Sequence, residues 1–114
     1  NKKLPVIKDK RLIEKSYGGY EGVSFAEYGA GMKVGETRGM ELDIEAADRI
    51  EEFFKAKYQE HPDKTMLAVC HGGIIRSFLT QKGIKEVLRG VIVNTSVSVL
   101  EYNGEKFDLI EFNK

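Results

Sequence analysis

The feature that most restricts the fold is a short apolar segment that runs into two glycines and then into a second apolar segment. Residues 65–70, Thr-Met-Leu-Ala-Val-Cys, have the length and continuous apolar character typical of a strand buried on both faces. His71, Gly72 and Gly73 interrupt this run, and apolar residues return at helical spacing over residues 74–79. A strand that enters a helix through glycines predicts an α/β domain with a partly parallel sheet.

A helix is predicted ahead of this strand. Asp43 is a favourable N-cap residue, and His61-Pro62 is a typical helix end. Between them the apolar residues that lie on one helical face are Ala47, Ile50, Phe54 and Tyr58. The order helix, strand, glycine turn and helix therefore supports the same α/β class.

The C-terminal tail predicts an antiparallel hairpin. Two runs of alternating residues, 96–101 and 107–112, flank the pair Asn103-Gly104. Asn-Gly between such runs is the strongest short-range hairpin signal, because both residues of a two-residue turn adopt positive φ. We expect this hairpin to finish the sheet.

Residues 17–39 have an unusual share of glycine. Seven of the twelve glycines of the chain lie in this segment. Because glycine disfavours regular helix and permits tight turns, we expect a loop layer here with at most one helical turn.

Composition narrows the class of protein. The 114 residues carry 18 Lys and Arg against 18 Asp and Glu, without the basic surplus of a nucleic-acid or membrane-surface protein. A single cysteine cannot form an internal disulfide, and one cysteine with two histidines does not suit an ordinary zinc site. No linker or repeat divides the chain, so we expect one domain over residues 1–114. We also expect the protein to be cytoplasmic and to use neither a metal nor a cofactor.

The junction at His71 is the candidate site. Backbone N–H groups of Gly72 and Gly73 would point out of the carboxyl edge of the sheet, at the positive end of a helix dipole, where anions bind. As an imidazolium, His71 could stabilise charge on a transferring phosphoryl group. The alternative is a histidine that only terminates a strand and bonds a neighbouring carbonyl group.

A second alternative uses the cysteine. Cys70, Gly73, Arg76 and Ser77 fit the spacing Cys-x-x-Gly-x-x-Arg-Ser of cysteine-dependent phosphatases, in which a thiolate attacks phosphorus and the arginine clamps its oxygens. Val69 stands where those enzymes usually carry histidine. A free cysteine at the end of a buried strand is more often a core residue, and the sequence favours that interpretation.

Five segments, taken together and in this order, resemble the histidine phosphatase superfamily, also called the phosphoglycerate mutase-like family. They are Leu-Ile-Glu at 12–14, Tyr-Gly-Gly-Tyr-Glu-Gly at 17–22, Gly-Met-Glu at 39–41 with Arg49, residues 67–76, and residues 94–100. The resemblance covers nearly the whole chain. Taken alone, Glu14 would be a solvated glutamate, and only the resemblance points to a function for it.

The resemblance implies a fold and a chemistry. The fold is a three-layer α/β/α domain with a mostly parallel sheet and a C-terminal antiparallel hairpin. The chemistry is phosphomonoester hydrolysis or phosphoryl transfer through a phosphohistidine, on a small phosphorylated metabolite. His71 would stabilise the phosphoryl group and Glu14 would protonate the leaving oxygen and later activate water. Gly72, Gly73 and Tyr17 would contact the substrate phosphate.

The sequence departs from the family in one respect. The nucleophilic histidine of the family lies in an Arg-His-Gly motif, which these residues lack, and His61 follows a helix in a Pro-Asp-Lys turn. We therefore expect the C-terminal part of a histidine phosphatase domain, inactive alone, whose N-terminal part is in the same or a separate chain. Unpaired strand edges would make the isolated piece poorly stable or cause it to homo-oligomerise.

The sequence favours a phosphatase over a mutase. The stretch 22–39 is too short for a large insertion over the site, and His71-Gly-Gly differs from the Gly-Asn-Ser that follows histidine in cofactor-dependent mutases. A non-catalytic segment that binds a phosphorylated ligand or a partner chain remains the third alternative.

Overall fold

The computed structural model describes residues 3–114 and contains three α-helices and two β-strands. These are α1 (Phe25–Lys33), α2 (Asp43–Glu60), α3 (Gly72–Gln81), β1 (Val99–Tyr102) and β2 (Phe107–Glu111). Short 3-10 turns lie at Lys10–Leu12, Gly18–Tyr20 and Lys85–Arg89. Within residues 3–114, none of the helices is long and apolar enough to cross a bilayer.

The packing of α2 against α3 forms the centre of the molecule. The predicted apolar stripe is confirmed, since Ile50 on α2 is buried against Ile74 and Phe78 on α3. The helix α2 begins at Asp43, so that Leu42 and not Asp43 is its N-cap residue. This packing fixes the N-terminus of α3, on which the candidate site depends.

The C-terminal hairpin is confirmed, but its turn differs from the prediction. Strands β1 and β2 pair antiparallel with Tyr102 opposite Phe107, which leaves a four-residue loop, 103–106. Within that loop, positive φ is confined to Gly104, at 97°, and Asn103 instead accepts hydrogen bonds from two following backbone N–H groups through its side-chain oxygen. The asparagine thus shapes the turn with its side chain, as Asn often does.

The strand predicted at residues 65–70 is not formed. This segment has no regular secondary structure, and Leu67 and Val69 are 77% and 79% exposed. A strand buried on both faces needs neighbouring strands, whereas the sheet within residues 3–114 consists of the two antiparallel strands of the hairpin. The prediction of a buried strand is therefore wrong for this structure, and the three-layer parallel sheet is not seen in the described residues.

The glycine-rich segment is more helical than predicted. The nine-residue helix α1 begins after Ser24, whose hydroxyl accepts a hydrogen bond from the N–H of Glu27 at 3.2 Å. Residue 31 of this helix is a glycine because a Cβ there would be 1.9 Å from the hydroxyl of buried Tyr20. The prediction of at most one helical turn is therefore wrong, because this glycine allows close packing and does not form a turn.

Candidate active site

The carboxylate of Glu14 is bound at the N-terminus of α3. One oxygen accepts hydrogen bonds from the N–H groups of Ile74, at 3.0 Å, and Lys15, at 2.7 Å. The other accepts from the N–H of Gly73 at 3.2 Å. The first N–H groups of a helix lack partners within the helix and carry its positive end, which explains why a carboxylate is stabilised there.

His71 and Glu14 line the same cavity, which has a volume of about 230 Å³. His71 is the N-cap residue of α3 and is exposed, so its ring is accessible to a ligand. One wall of the cavity also contains Cys70 and Gly72, and the other wall is formed by residues 92–96. The structure therefore brings together three residues predicted from the sequence, Glu14, His71 and Gly72.

Gly73 and Tyr17, predicted to contact the phosphate, lie against Glu14 but do not line the cavity. A Cβ at Gly73 would come within 2.6 Å of a Glu14 oxygen and 2.8 Å of the Tyr17 hydroxyl. Burial, with the nearby charge of Glu14, raises the pKa of Tyr17, so its hydroxyl keeps its proton near neutral pH. The N–H of Gly73 bonds Glu14, and it is Gly72 that lines the cavity.

The cysteine alternative lacks its two chemical requirements. Burial raises the pKa of the Cys70 thiol and outweighs the hydrogen bond from the His71 N–H, which lowers it; the charge of Glu14 makes a smaller contribution that also raises it. The guanidinium of Arg76 donates to the carbonyl oxygens of Val87 and Gly90, where it holds a 3-10 turn. Neither the thiol nor the arginine is thus arranged for attack on a phosphate.

An ion pair between exposed Asp43 and buried Lys15, which is next to Glu14 in the chain, was not predicted from the sequence. Lys15 is 7% exposed, and its ammonium group donates to a carboxylate oxygen of Asp43 at 2.6 Å. The hydroxyl of Ser77 donates to the same oxygen at 2.8 Å. These contacts connect the residue after Glu14 to both α2 and α3. No sequence signal identifies this pair, because an isolated lysine is usually solvated.

A second set of contacts that the sequence did not predict surrounds Arg49. Its guanidinium binds the carboxylate of Glu41 with a shortest distance of 2.6 Å and also donates to the carbonyl oxygens of Arg11 and Glu14. The signal that could have suggested the ion pair is the eight-residue spacing of Glu41 and Arg49 across a helix start.

His61 takes no part in the cavity. It follows the end of α2, its side chain is 62% exposed, and its nearest ionic neighbour is Glu60 at 4.0 Å. In the part of the chain that the structure describes, no group of three or more His, Cys, Asp or Glu residues could hold a metal ion.

Comparison with known proteins gives a consistent result. The model of the histidine phosphatase superfamily (branch 1) matches residues 1–114. A curated protein of Bacillus subtilis (strain 168), named "Uncharacterized phosphatase PhoE", is 29% identical over 112 residues, which cover 96% of this chain. The chain spans 58% of the length of that relative. No solved structure matches the chain significantly.

Proposed function

The chain belongs to the histidine phosphatase superfamily, and on that premise we propose that it contributes His71 and Glu14 to a site that hydrolyses a small phosphomonoester. The observation that supports this most directly is the shared cavity at the N-terminus of α3, which both residues line. The N–H groups of Gly73 and Ile74 at this helix N-terminus bond Glu14, and Gly72 is the helix residue that faces the cavity, where the positive end of the helix favours a bound anion. An exposed imidazole and a carboxyl group supply charge stabilisation and proton transfer.

The proposed reaction has two steps. In the first, the imidazole nitrogen of a histidine outside these residues forms a bond to phosphorus while the ester P–O bond breaks, and Glu14 gives its proton to the leaving oxygen. In the second, Glu14 takes a proton from water, whose oxygen bonds phosphorus while the N–P bond to the histidine breaks, so that phosphate and the free imidazole are released. His71 donates a hydrogen bond to the phosphoryl oxygens in both.

The nucleophile requires a segment beyond these residues. The chain has two histidines, of which His71 is assigned to charge stabilisation and His61 lies outside the cavity. We propose that the N-terminal part of the domain supplies the nucleophilic histidine and packs on the apolar segment at residues 65–70. The high exposure of Leu67 and Val69 supports this, because such side chains are stabilised by a covering partner.

A phosphatase is favoured over a mutase, and catalysis over binding alone. The relative from Bacillus subtilis is named a phosphatase. A site that only bound a phosphorylated ligand would have no need of a carboxyl group in the same cavity as the histidine, where Glu14 lies. The binding alternative predicts affinity for phosphate esters without turnover.

The test uses the complete protein that contains this chain, with 4-nitrophenyl phosphate as substrate. The variant His71→Ala should lower kcat/KM by about 10²–10³-fold and leave the unfolding transition unchanged, because its side chain is exposed. The matched control, His61→Ala, should keep full activity. Phosphoenzyme trapped during turnover should lose its label in acid and keep it in base, as phosphohistidine does. Retained activity of His71→Ala would overturn the assignment of that residue.

A further inference from the structure

The loop that carries Glu14 is held by one arginine of α2. Through its two terminal nitrogens, Arg49 donates to the carbonyl oxygen of Arg11 at 2.7 Å and to that of Glu14 at 3.2 Å. These carbonyl groups lie at both ends of a four-residue stretch of backbone. A guanidinium is planar, with donors in fixed directions, so it restrains both groups at once, which a lysine ammonium group cannot do with the same geometry.

Glu41 binds the same arginine and the same loop, and we call Arg49 and Glu41 together the clamp. One of its carboxylate oxygens accepts from Arg49 at 2.6 Å, and the other accepts from Arg49 at 3.1 Å and from the N–H of Ser16 at 3.0 Å. The backbone N–H of Glu41 in turn donates to the carbonyl oxygen of Ser16 at 2.9 Å. The side chains of Arg49 and Glu41 are only 21% and 18% exposed, so solvent competes weakly for these bonds.

The clamp acts directly on the position of the Glu14 carboxylate. Arg49 holds the carbonyl group of Glu14 itself, and Glu41 holds the N–H group two residues later. The side chain of Glu14 then spans from this fixed backbone to the N–H groups of α3. A proton donor must lie within hydrogen-bond reach of the leaving oxygen, and a displacement of about 1 Å can lower a rate by about 10²-fold.

We propose that Arg49 and Glu41 are positioning residues for Glu14, which set the point from which it delivers a proton to the leaving oxygen. This inference rests on the role assigned to Glu14 in the proposed function. Neither residue lines the cavity, so their effect on catalysis is exerted through the backbone of residues 11–16.

The experiment compares two phosphate esters in the complete protein. Glycerol phosphate has an alkoxide leaving group that needs a proton, whereas 4-nitrophenolate leaves readily without one. The quantity measured is kcat/KM, which reports the steps up to departure of the leaving group and excludes later hydrolysis of the phosphoenzyme. We expect Arg49→Lys and Glu41→Gln to lower kcat/KM for glycerol phosphate by about 10²-fold and that for 4-nitrophenyl phosphate by less than about fivefold.

The ratio of the two kcat/KM values separates positioning from general damage to the fold. A smaller folded fraction lowers both values equally and leaves their ratio unchanged. The matched control is Arg76→Lys. Arg76 also donates to backbone carbonyl groups, but these belong to Val87 and Gly90 and not to the loop that carries Glu14. This variant should leave the ratio at the wild-type value.

The variant Glu14→Gln separates the proton-donor role of Glu14 from the positioning role of Arg49 and Glu41. Suppose that Glu14→Gln lowers kcat/KM for glycerol phosphate far more than for 4-nitrophenyl phosphate, while the Arg49 and Glu41 variants lower both kcat/KM values equally. The positioning role is then overturned and the proposed function stands. If Glu14→Gln itself lowers kcat/KM equally for both substrates, the proton-donor role of Glu14 is overturned, and with it the positioning role of Arg49 and Glu41. Selective loss in all three variants supports both.

Discussion

The carboxylate of Glu14 accepts a hydrogen bond from the backbone N–H of Ile74 at 3.0 Å, although the two residues are 60 positions apart in the sequence. The contact joins an irregular loop to the first turn of α3. It places a negative group where the helix has unpaired donors, so each side satisfies the other. The candidate site therefore exists only when this loop is packed on the helix, and its function and its stability are connected.

The first prediction concerns the space at Gly73. A Cβ at this position would come within 2.6 Å of Glu14 and 2.8 Å of the Tyr17 hydroxyl, so Gly73→Ala must displace both side chains. We expect the free energy of unfolding to fall by about 1–3 kcal/mol, as for other overpacked sites. Urea denaturation followed by circular dichroism measures this change.

The neighbouring glycine provides the matched control. A Cβ at Gly72 would meet no atom within 4 Å, and the same exchange there should leave stability unchanged or slightly raised. Equal stability of the Gly72→Ala and Gly73→Ala variants would contradict the placement of Glu14 against α3.

The elements that the sequence predicted correctly are those fixed by local pattern. The periodicity of α2 and of α3, and the alternation of the hairpin strands, depend on residues that are close together in the chain. The strand at residues 65–70 was wrong because its formation depends on neighbouring strands that residues 3–114 do not provide. The helix α1 was missed because seven glycines in residues 17–39 suggested a loop, whereas Gly31 is explained by its close packing against the ring of Tyr20.

The second prediction concerns the start of α2. The N–H of Leu42 donates to the side chain of Glu45 at 2.8 Å, which is one half of a capping box. The leucine side chain has no acceptor for the other half, the N–H of Glu45. We expect Leu42→Ser to supply it and to be more stable than Leu42→Ala by about 1 kcal/mol. Thermal and urea unfolding of the two variants measure the difference, and equal values would show that the second bond does not form.

The third prediction is a pH dependence of stability. The hydrogen bond from Arg49 holds the pKa of Glu41 below its ordinary 4.5, against the opposing effect of burial. A carboxyl group with a lowered pKa in the folded state stabilises the fold fully above pH 4.5, and this contribution is lost as the pH falls through the folded-state pKa. The stability difference between wild type and Glu41→Gln should therefore shrink as the pH is lowered below 4.5.

Urea denaturation at several pH values tests this expectation. The control is Glu105→Gln in the hairpin loop, whose side chain forms no ion pair within residues 3–114 and whose effect should be small at every pH. A difference between wild type and Glu41→Gln that stays constant down to about pH 3 would contradict the ionic bond to Arg49.

The candidate site was predicted unevenly from the sequence. His71 could be found from its place between an apolar run and a helix, because the N-terminus of a helix is a general anion site. Glu14 was identified only by family resemblance, since its partners in α3 are distant in the chain. The ion pair of Lys15 and the backbone hydrogen bonds of Arg49 could not be predicted, because they depend on which distant groups the tertiary packing brings within reach.

The fourth prediction decides between histidine and cysteine chemistry. Burial raises the pKa of the Cys70 thiol above its ordinary 9.0, so little thiolate is present near neutral pH. Iodoacetamide should therefore modify the folded protein at least about tenfold more slowly than the same protein in urea, and the rate should still rise with pH beyond 9.0. The variant Cys70→Ala should keep kcat/KM within about tenfold of wild type, because a nucleophile would cost far more. Rapid alkylation of the folded protein, together with complete loss of activity in Cys70→Ala, would show that the thiol is the nucleophile. His71 would then be only the residue next to it.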